Sequence, residues 1–203
     1  MGKDTPSQSE TPEIETPEIE TWYVDDIDPA LALEISKLLC TVWPKPDRTP
    51  ESRAQQLAEE QGKYSGPKSQ APRSFLMREH GRVIAHSAIL PRKIRTSQGE
   101  HVVAGLAKVC SDPKQRGRGL GERIVRAALQ VVDSGEFEVM LFQTSIEVRP
   151  FYEKHGAREI ENRIVNSLAD DPDANPFWDR VVMIYPSDAE WPEGVVDLLG
   201  PGF

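Results

Sequence analysis

Six residues, Arg116-Gly117-Arg118-Gly119-Leu120-Gly121, are the segment best suited to chemistry. They stand between an apolar, strand-like run from His101 to Cys110 and a helix-patterned run from Leu120 to Val132. Glycines at 117, 119 and 121 permit a tight turn and bring backbone N–H groups close to an anion, and a helix starting there adds the positive end of its dipole. Arg116 and Arg118 add positive charge. The chemistry is the cradling of phosphate. A Walker-type loop needs Lys and then Ser or Thr after its last glycine, where this chain has Glu122-Arg123, so that reading drops out. A dinucleotide fingerprint needs G-x-G-x-x-G in a first βαβ unit; these glycines run G-x-G-x-G past the middle of the chain, which disfavours it. Any strand-to-helix connection can also hold glycines, so the loop must be read with its neighbours.

Those neighbours narrow the choice. Ser111-Asp112-Pro113 precedes the loop, Glu138 to Thr144 reads as the next strand, and Arg149 to Gly156 carries Phe151-Tyr152 at the start of a short helix, four residues before Gly156. Arg116, Gly119 and Gly121 fit an Arg/Gln-x-x-Gly-x-Gly/Ala loop, and Phe151, Tyr152 and Gly156 fit an F-Y-x-x-x-G helix. With both motifs at this separation, the chain resembles the GCN5-related N-acetyltransferase (GNAT) family over roughly residues 73 to 186. Within that family, Ala85 to Arg92 is similar to the corresponding strand of aminoglycoside 2′-N-acetyltransferases and nodulation N-acyltransferases, and the stretch from Ile184 to Gly194 resembles the latter. Both subgroups modify amino groups on sugars.

The resemblance implies an acetyl-CoA donor whose diphosphate sits on Arg116, Gly117, Arg118, Gly119, Leu120 and Gly121. It implies a pantetheine arm laid along Val109, Cys110 and Ser111 like an added strand. Ser145 stands where the family usually has Asn, as a further cofactor contact. Tyr152 matches the Tyr that protonates the departing thiolate, although a Phe-Tyr pair opening a helix also suits core packing. Many members carry a Glu on the strand before the loop; here Ala104 to Lys108 has no carboxylate, and Gly105 stands in that place. His86 is the substitute base by virtue of its imidazole, though a lone His in an apolar strand is more often a satisfied structural residue. Glu100, His101, Asp112 and Glu147 are weaker choices. The implied function is acetyl transfer to a primary amine of a small molecule. An acyltransferase using a longer acyl-CoA or an acyl carrier protein and a non-catalytic acyl-CoA sensor are the alternatives. Acidic residues at 170, 171, 173, 179 and 188 are available to attract an amine, as well as to make solvated turns. Homodimers are common in such folds, and no motif here decides the matter.

Composition bounds the elements that must position these groups. With 203 residues, 38% hydrophobic and 28% charged, one sizeable core is expected. The first 20 residues repeat Glu-Thr-Pro-Glu-Ile and hold six acids against one Lys, a charge of −5, which leaves −9 + 5 = −4 for the rest. This predicts a disordered acidic tail over 1–20 and a single domain over 21–203. A mildly acidic body argues against nucleic-acid binding. No apolar stretch exceeds strand length, so no membrane span and a cytoplasmic location are expected. Cys40 and Cys110 read as unpaired thiols, and no metal-ligand spacing occurs.

The patterning predicts a strand at Thr21 to Val24, a helix from Asp28-Pro29 to Trp43, and a second helix from Pro50 to about Gln61. Strands follow at Ser74 to Arg78, Val83 to Leu90 with Arg92 to Thr96 as an extension, and His101 to Cys110. After the loop helix come the strand ending at Thr144, the short helix at 149–156, and final strands at Ala157 to Asn166 and Arg180 to Tyr185. The fold class is α/β: a GNAT-like mixed central sheet of about six to seven strands flanked by about four helices.

Overall fold

A computed structural model describes residues 17–203. The expectation for the tail falls outside the described residues up to residue 16, but its last part is structured. Strand β1 (Ile19–Tyr23) begins two residues inside the predicted tail, because Glu20 accepts two 2.7 Å hydrogen bonds from Arg78. Helices α1 (Pro29–Val42) and α2 (Pro50–Glu59) follow. Each starts as its sequence requires. Asp28 accepts from the Leu31 amide with Pro29 in the first turn, and Thr49 and Ser52 cap each other around Pro50.

Strands β2 (Arg73–Glu79), β3 (Arg82–Thr96) and β4 (Gly99–Ser111) form an antiparallel meander. β3 runs through Pro91 unbroken. β2 stops pairing at Ile89, so beyond it β3 has only β4 as a ladder partner at Pro91 and needs no donor on its other edge. Helix α3 (Leu120–Asp133) carries the chain to β5 (Met140–Thr144), which lies parallel to β4. Then come α4 (Arg149–Lys154), β6 (Arg158–Glu159), β7 (Arg163–Val165), β8 (Val181–Tyr185) and β9 (Val195–Asp197). The main path of the nine-stranded mixed sheet is β1-β2-β3-β4-β5-β8-β6, with β9 joining β3 to β7. The single last strand expected over 157–166 is two short ones, and β9, from a Pro- and Gly-rich stretch, was not legible.

Three apolar clusters fix the layers. On one face, Leu120, Ile124, Val125, Ala128 and Leu129 of α3 pack on Ala104, Leu106, Met140 and Phe142. On the other, Leu31, Ile35, Leu38 and Leu39 of α1 cover Leu76, Val83 and Cys110. Beside α1 on that second side, Val103, Ala107, Leu141 and Ile184 meet Phe177, Val196, Leu198 and Phe203. α2 itself buries no residue fully. Both cysteines are free, Cys40 half-buried and Cys110 buried.

Candidate active site at the glycine turn and the split strand

Gly117 and Gly119 have φ of +83° and +71°, a backbone region that costs other residues about 1–2 kcal/mol. Gly121 is different. It has ordinary helical geometry, and a Cβ built there meets nothing within 4 Å, nor would one at 117 or 119; the space above the turn is open. α3 has Gly119 at its N-cap and no side-chain cap. Among the described residues, none of the amides of Gly119, Leu120, Gly121 and Glu122 donates to the protein; the first intrahelical bond comes from Arg123 to the Gly119 carbonyl. Burial of six α3 side chains, at roughly 1.5–3 kcal/mol each, far outweighs the ~1 kcal/mol forgone by leaving the end uncapped. Four donors are thus aimed at one place by a helix that does not need them satisfied internally, which is what a diphosphate requires.

The two arginines beside the turn part company. Arg118 binds the Glu79 carboxylate at 2.9 Å and Gln115 at 2.5 Å, so its charge is already paired; the pair braces the loop against the end of β2. Arg116 is exposed and has no ion-pair partner among the described residues.

β4 and β5 pair only at Ala104 with Met140 and Gly105 with Leu141. Beyond that the strands diverge. From Leu106 to Ser111, β4 keeps β3 on one edge and has no strand on the other. This brings Val109, Cys110 and Ser111 to a free edge that ends beside the glycine turn, suited to an extended amide-bearing chain. β4 is also bulged. The register passes from Cys110 opposite His86 to Ala107 opposite Ala88, leaving Lys108 and Val109 facing Ser87, with Lys108 at φ +54°.

His86 explains how the bulge is held, and its role is the main correction. It is 1% exposed, with Nδ1 3.0 Å from the Lys108 carbonyl and Nε2 2.9 Å from the Ser74 hydroxyl. A carbonyl only accepts, so Nδ1 carries the proton and Nε2 takes the Ser74 hydroxyl hydrogen. Burial drives its pKa down to about 4. No lone pair is left for a substrate ammonium, and His86 is a positioning residue for β4.

Tyr152 sits at the mouth of the split. Its ring packs against Phe142 of β5 at 4.7 Å between centroids, and its hydroxyl lies within electrostatic reach of Cys110 on β4. Burial raises the phenol's pKa well above its ordinary value and pushes the Cys110 thiol up to about 12. Both stay neutral. Among the described residues the Tyr152 hydroxyl has no hydrogen-bond partner, and it is not sealed from solvent. Ser145 is half-buried at the turn after β5, and its hydroxyl helps to hold the Glu147 carboxyl below the usual carboxylate range.

The other bases considered are not brought to the split. Glu100 is taken by Arg95 and Lys93 at the start of β4, Asp112 caps the turn through the Lys114 amide, and His101 is at the far end of the strand. The absence of a carboxylate at 105 has a packing reason. A Cβ there would lie 2.7 Å from the Leu90 carbonyl and 2.8 Å from the Phe203 ring, so only Gly fits. Asp173 is paired with Arg163.

Sequence reasoning gave no role to Lys108, Arg53, Glu60 or Arg92. Lys108 is exposed, within electrostatic range of Arg53 and Glu60 of the α2 region, and crowding together with Arg53's like charge holds its pKa below the ordinary lysine value. Arg92 on β3 lies 5.6 Å over the Phe203 ring. A charged residue inside the apolar run Val102 to Cys110 was the one available signal. A surface hollow of about 470 Å3 near Arg123, Gln130 and His155 lies on the outer side of α3; it touches neither the free amides nor the open edge.

The acetyltransferase (GNAT) domain family matches residues 27–160. The chain belongs to that family. It is an acyl-CoA-dependent N-acetyltransferase, and members of the family use acetyl-CoA as co-substrate. No curated protein matches it. Solved structures similar in fold include a GNAT acetyltransferase of Staphylococcus aureus Mu50, at 14% identity and TM-score 0.54, covering 82% of this chain and 98% of that one. An acyl-CoA N-acyltransferase of Pseudomonas aeruginosa gives 14% identity and TM-score 0.55 over 83% and 99%. Glucosamine-6-phosphate N-acetyltransferase of Arabidopsis thaliana gives 17% and 0.52 over 68% and 90%. These likenesses extend the shared fold; the particular sugar-amine subgroups gain no support from them. No described helix is long and apolar enough to cross a membrane, and no cluster of metal ligands occurs among the described residues.

Proposed function

We propose that this acetyltransferase moves the acetyl group of acetyl-CoA to a primary amine of a small molecule, with amino sugars the first class to test. The observation that carries the reading is the row of four undonated amides at the uncapped start of α3, set beside the free edge of β4. The donor supplies a thioester; the protein's residues do the rest. The turn amides hold the diphosphate, the edge of β4 from Val109 to Ser111 aligns the arm, and an amide of that edge polarises the carbonyl.

Transfer forms a carbon–nitrogen bond and breaks the carbon–sulfur bond, while one proton leaves nitrogen and one reaches sulfur. Tyr152 serves the second event. Its raised pKa keeps it a neutral hydrogen-bond donor throughout the working pH range, so it steadies the departing thiolate by placement, and the proton shed from nitrogen, carried by water, ends on sulfur. The missing carboxylate at 105 means that the amine arrives neutral or loses its proton to water.

Acetyl-CoA titration followed by thiol release against aminoglycosides, amino-sugar phosphates, polyamines, amino acids and peptide N-termini tests this. Saturable binding with release that depends on one class of amine is expected. Binding without release from any amine would refute catalysis and leave a sensor; release only with longer acyl groups would refute the acetyl assignment.

A further inference from the structure

Phe203 ties β4 to β5 at the point where they part. Its ring lies against Gly105, where a Cβ would come within 2.8 Å of it, and Gly105 is the last residue of β4 that pairs with β5. Its main-chain oxygen accepts a 2.9 Å hydrogen bond from the Gln143 side-chain amide, and Gln143 belongs to the stretch of β5 beyond that pairing. One residue thus touches both walls of the split at its closed end. Strand alternation fixes the face. Ala104 and Leu106 pack with α3, so the intervening Gly105 turns to the opposite side, which Phe203 shares with Leu141.

The ring is held there from several directions. Phe177 meets it edge-on at 5.2 Å, and Arg92 lies 5.6 Å over it. The segment after Phe177 is fastened to the same Gln143, whose Oε1 accepts from the amides of Trp178 at 3.0 Å and Asp179 at 2.9 Å. With 8% of its surface exposed in close-packed surroundings, the Phe203 ring is a fixed wall.

An arm entering the split is directed at that wall. The diphosphate seat is at the start of α3, past the end of β4, so an arm laid back along Ser111, Cys110 and Val109 advances toward Gly105 with its thioester foremost. Paired strands stand about 4.8 Å apart, and nothing continues between β4 and β5 past Gly105. Carbons beyond the thioester must turn out of the sheet. On one face Leu120, Ile124 and Leu129 of α3 already cover Ala104 and Leu106; on the other stands Phe203.

We propose that the Phe203 ring closes the acyl end of the split and restricts the donor to short acyl groups, acetyl above all. This rests on the reading of the glycine turn and the β4 edge as the acyl-CoA seat.

Calorimetric titration with CoA, acetyl-CoA, butyryl-CoA and hexanoyl-CoA tests this without an acceptor. In the parent protein acetyl-CoA should bind about ten-fold more tightly than either longer ester, because added methylenes overpack the closed end. Phe203→Ala should erase that preference, each methylene taken into the vacated space gaining roughly four-fold in affinity, while the affinity for CoA, which carries no acyl group, stays as in the parent. Phe203→Leu shortens the wall but keeps an apolar anchor, and supplies the same comparison if the Ala variant fails to fold. Val196→Ala, a truncation in the same apolar cluster on β9, should lower stability and leave the chain-length ratio unchanged. Equal affinity for acetyl-CoA and hexanoyl-CoA in the parent, or an unchanged ratio in the Phe203 variants, would overturn the proposal and leave the cofactor seat standing. If neither CoA nor any of its esters binds, the acyl-CoA reading falls, and this proposal with it.

Discussion

Replacing His86 separates its structural role from a catalytic one. In the native protein it is fully enclosed and stays neutral down to a pKa of about 4, against 6.5 for the exposed side chain. Between these values the unfolded chain binds a proton that the native chain refuses. Stability therefore rises with pH across this window and is lost as pH falls from 6.5 toward 4. At about 1.4 kcal/mol per pH unit, a shift from 6.5 to about 4 amounts to roughly 3 kcal/mol. Carboxylates also titrate near the lower end, so the comparison must be differential. Urea denaturation of the parent and of His86→Gln at half-unit steps from pH 4.5 to 7.5 supplies it. The variant loses one or both hydrogen bonds to Ser74 and Lys108, about 1–3 kcal/mol near neutrality, and the gap should narrow steadily as pH falls. Its kcat per folded molecule at pH 8 should stay within about ten-fold of the parent, since a lost general base costs ~10²–10⁴. Parallel stability profiles would refute the buried-neutral assignment. A thousand-fold fall in kcat with the fold intact would return His86 to catalysis.

Three further outcomes follow from the geometry. Gly121→Val fills open space without a backbone penalty, so acetyl-CoA affinity should drop at least ten-fold by titration while the urea midpoint barely moves. Tyr152→Phe should lower kcat by ~10–100-fold with acetyl-CoA affinity unchanged; a wild-type kcat would mean that the ring only packs on Phe142. Gly105→Ala drives a Cβ into the Leu90 carbonyl and the Phe203 ring, and a loss of about 1–3 kcal/mol in chemical denaturation is expected from overpacking.

The sequence by itself determined the local parts. Helix starts at Asp28 and Thr49, the glycine turn, and the strand-to-helix passage into α3 are encoded by neighbouring residues, so caps, turn glycines and periodicity revealed them without knowledge of the fold. The phosphate-binding assignment rests on that same contiguous stretch. Tertiary structure decided everything that depends on which strand meets which. Where β4 parts from β5, and where it bulges at Lys108, depends on the strands paired with it; neither is a property of the β4 sequence. The carboxylate missing at 105 made sense only once Phe203, nearly a hundred positions away, was found against it. His86 could be read as base or scaffold from its neighbours, and two hydrogen bonds from different strands settled its lone pairs.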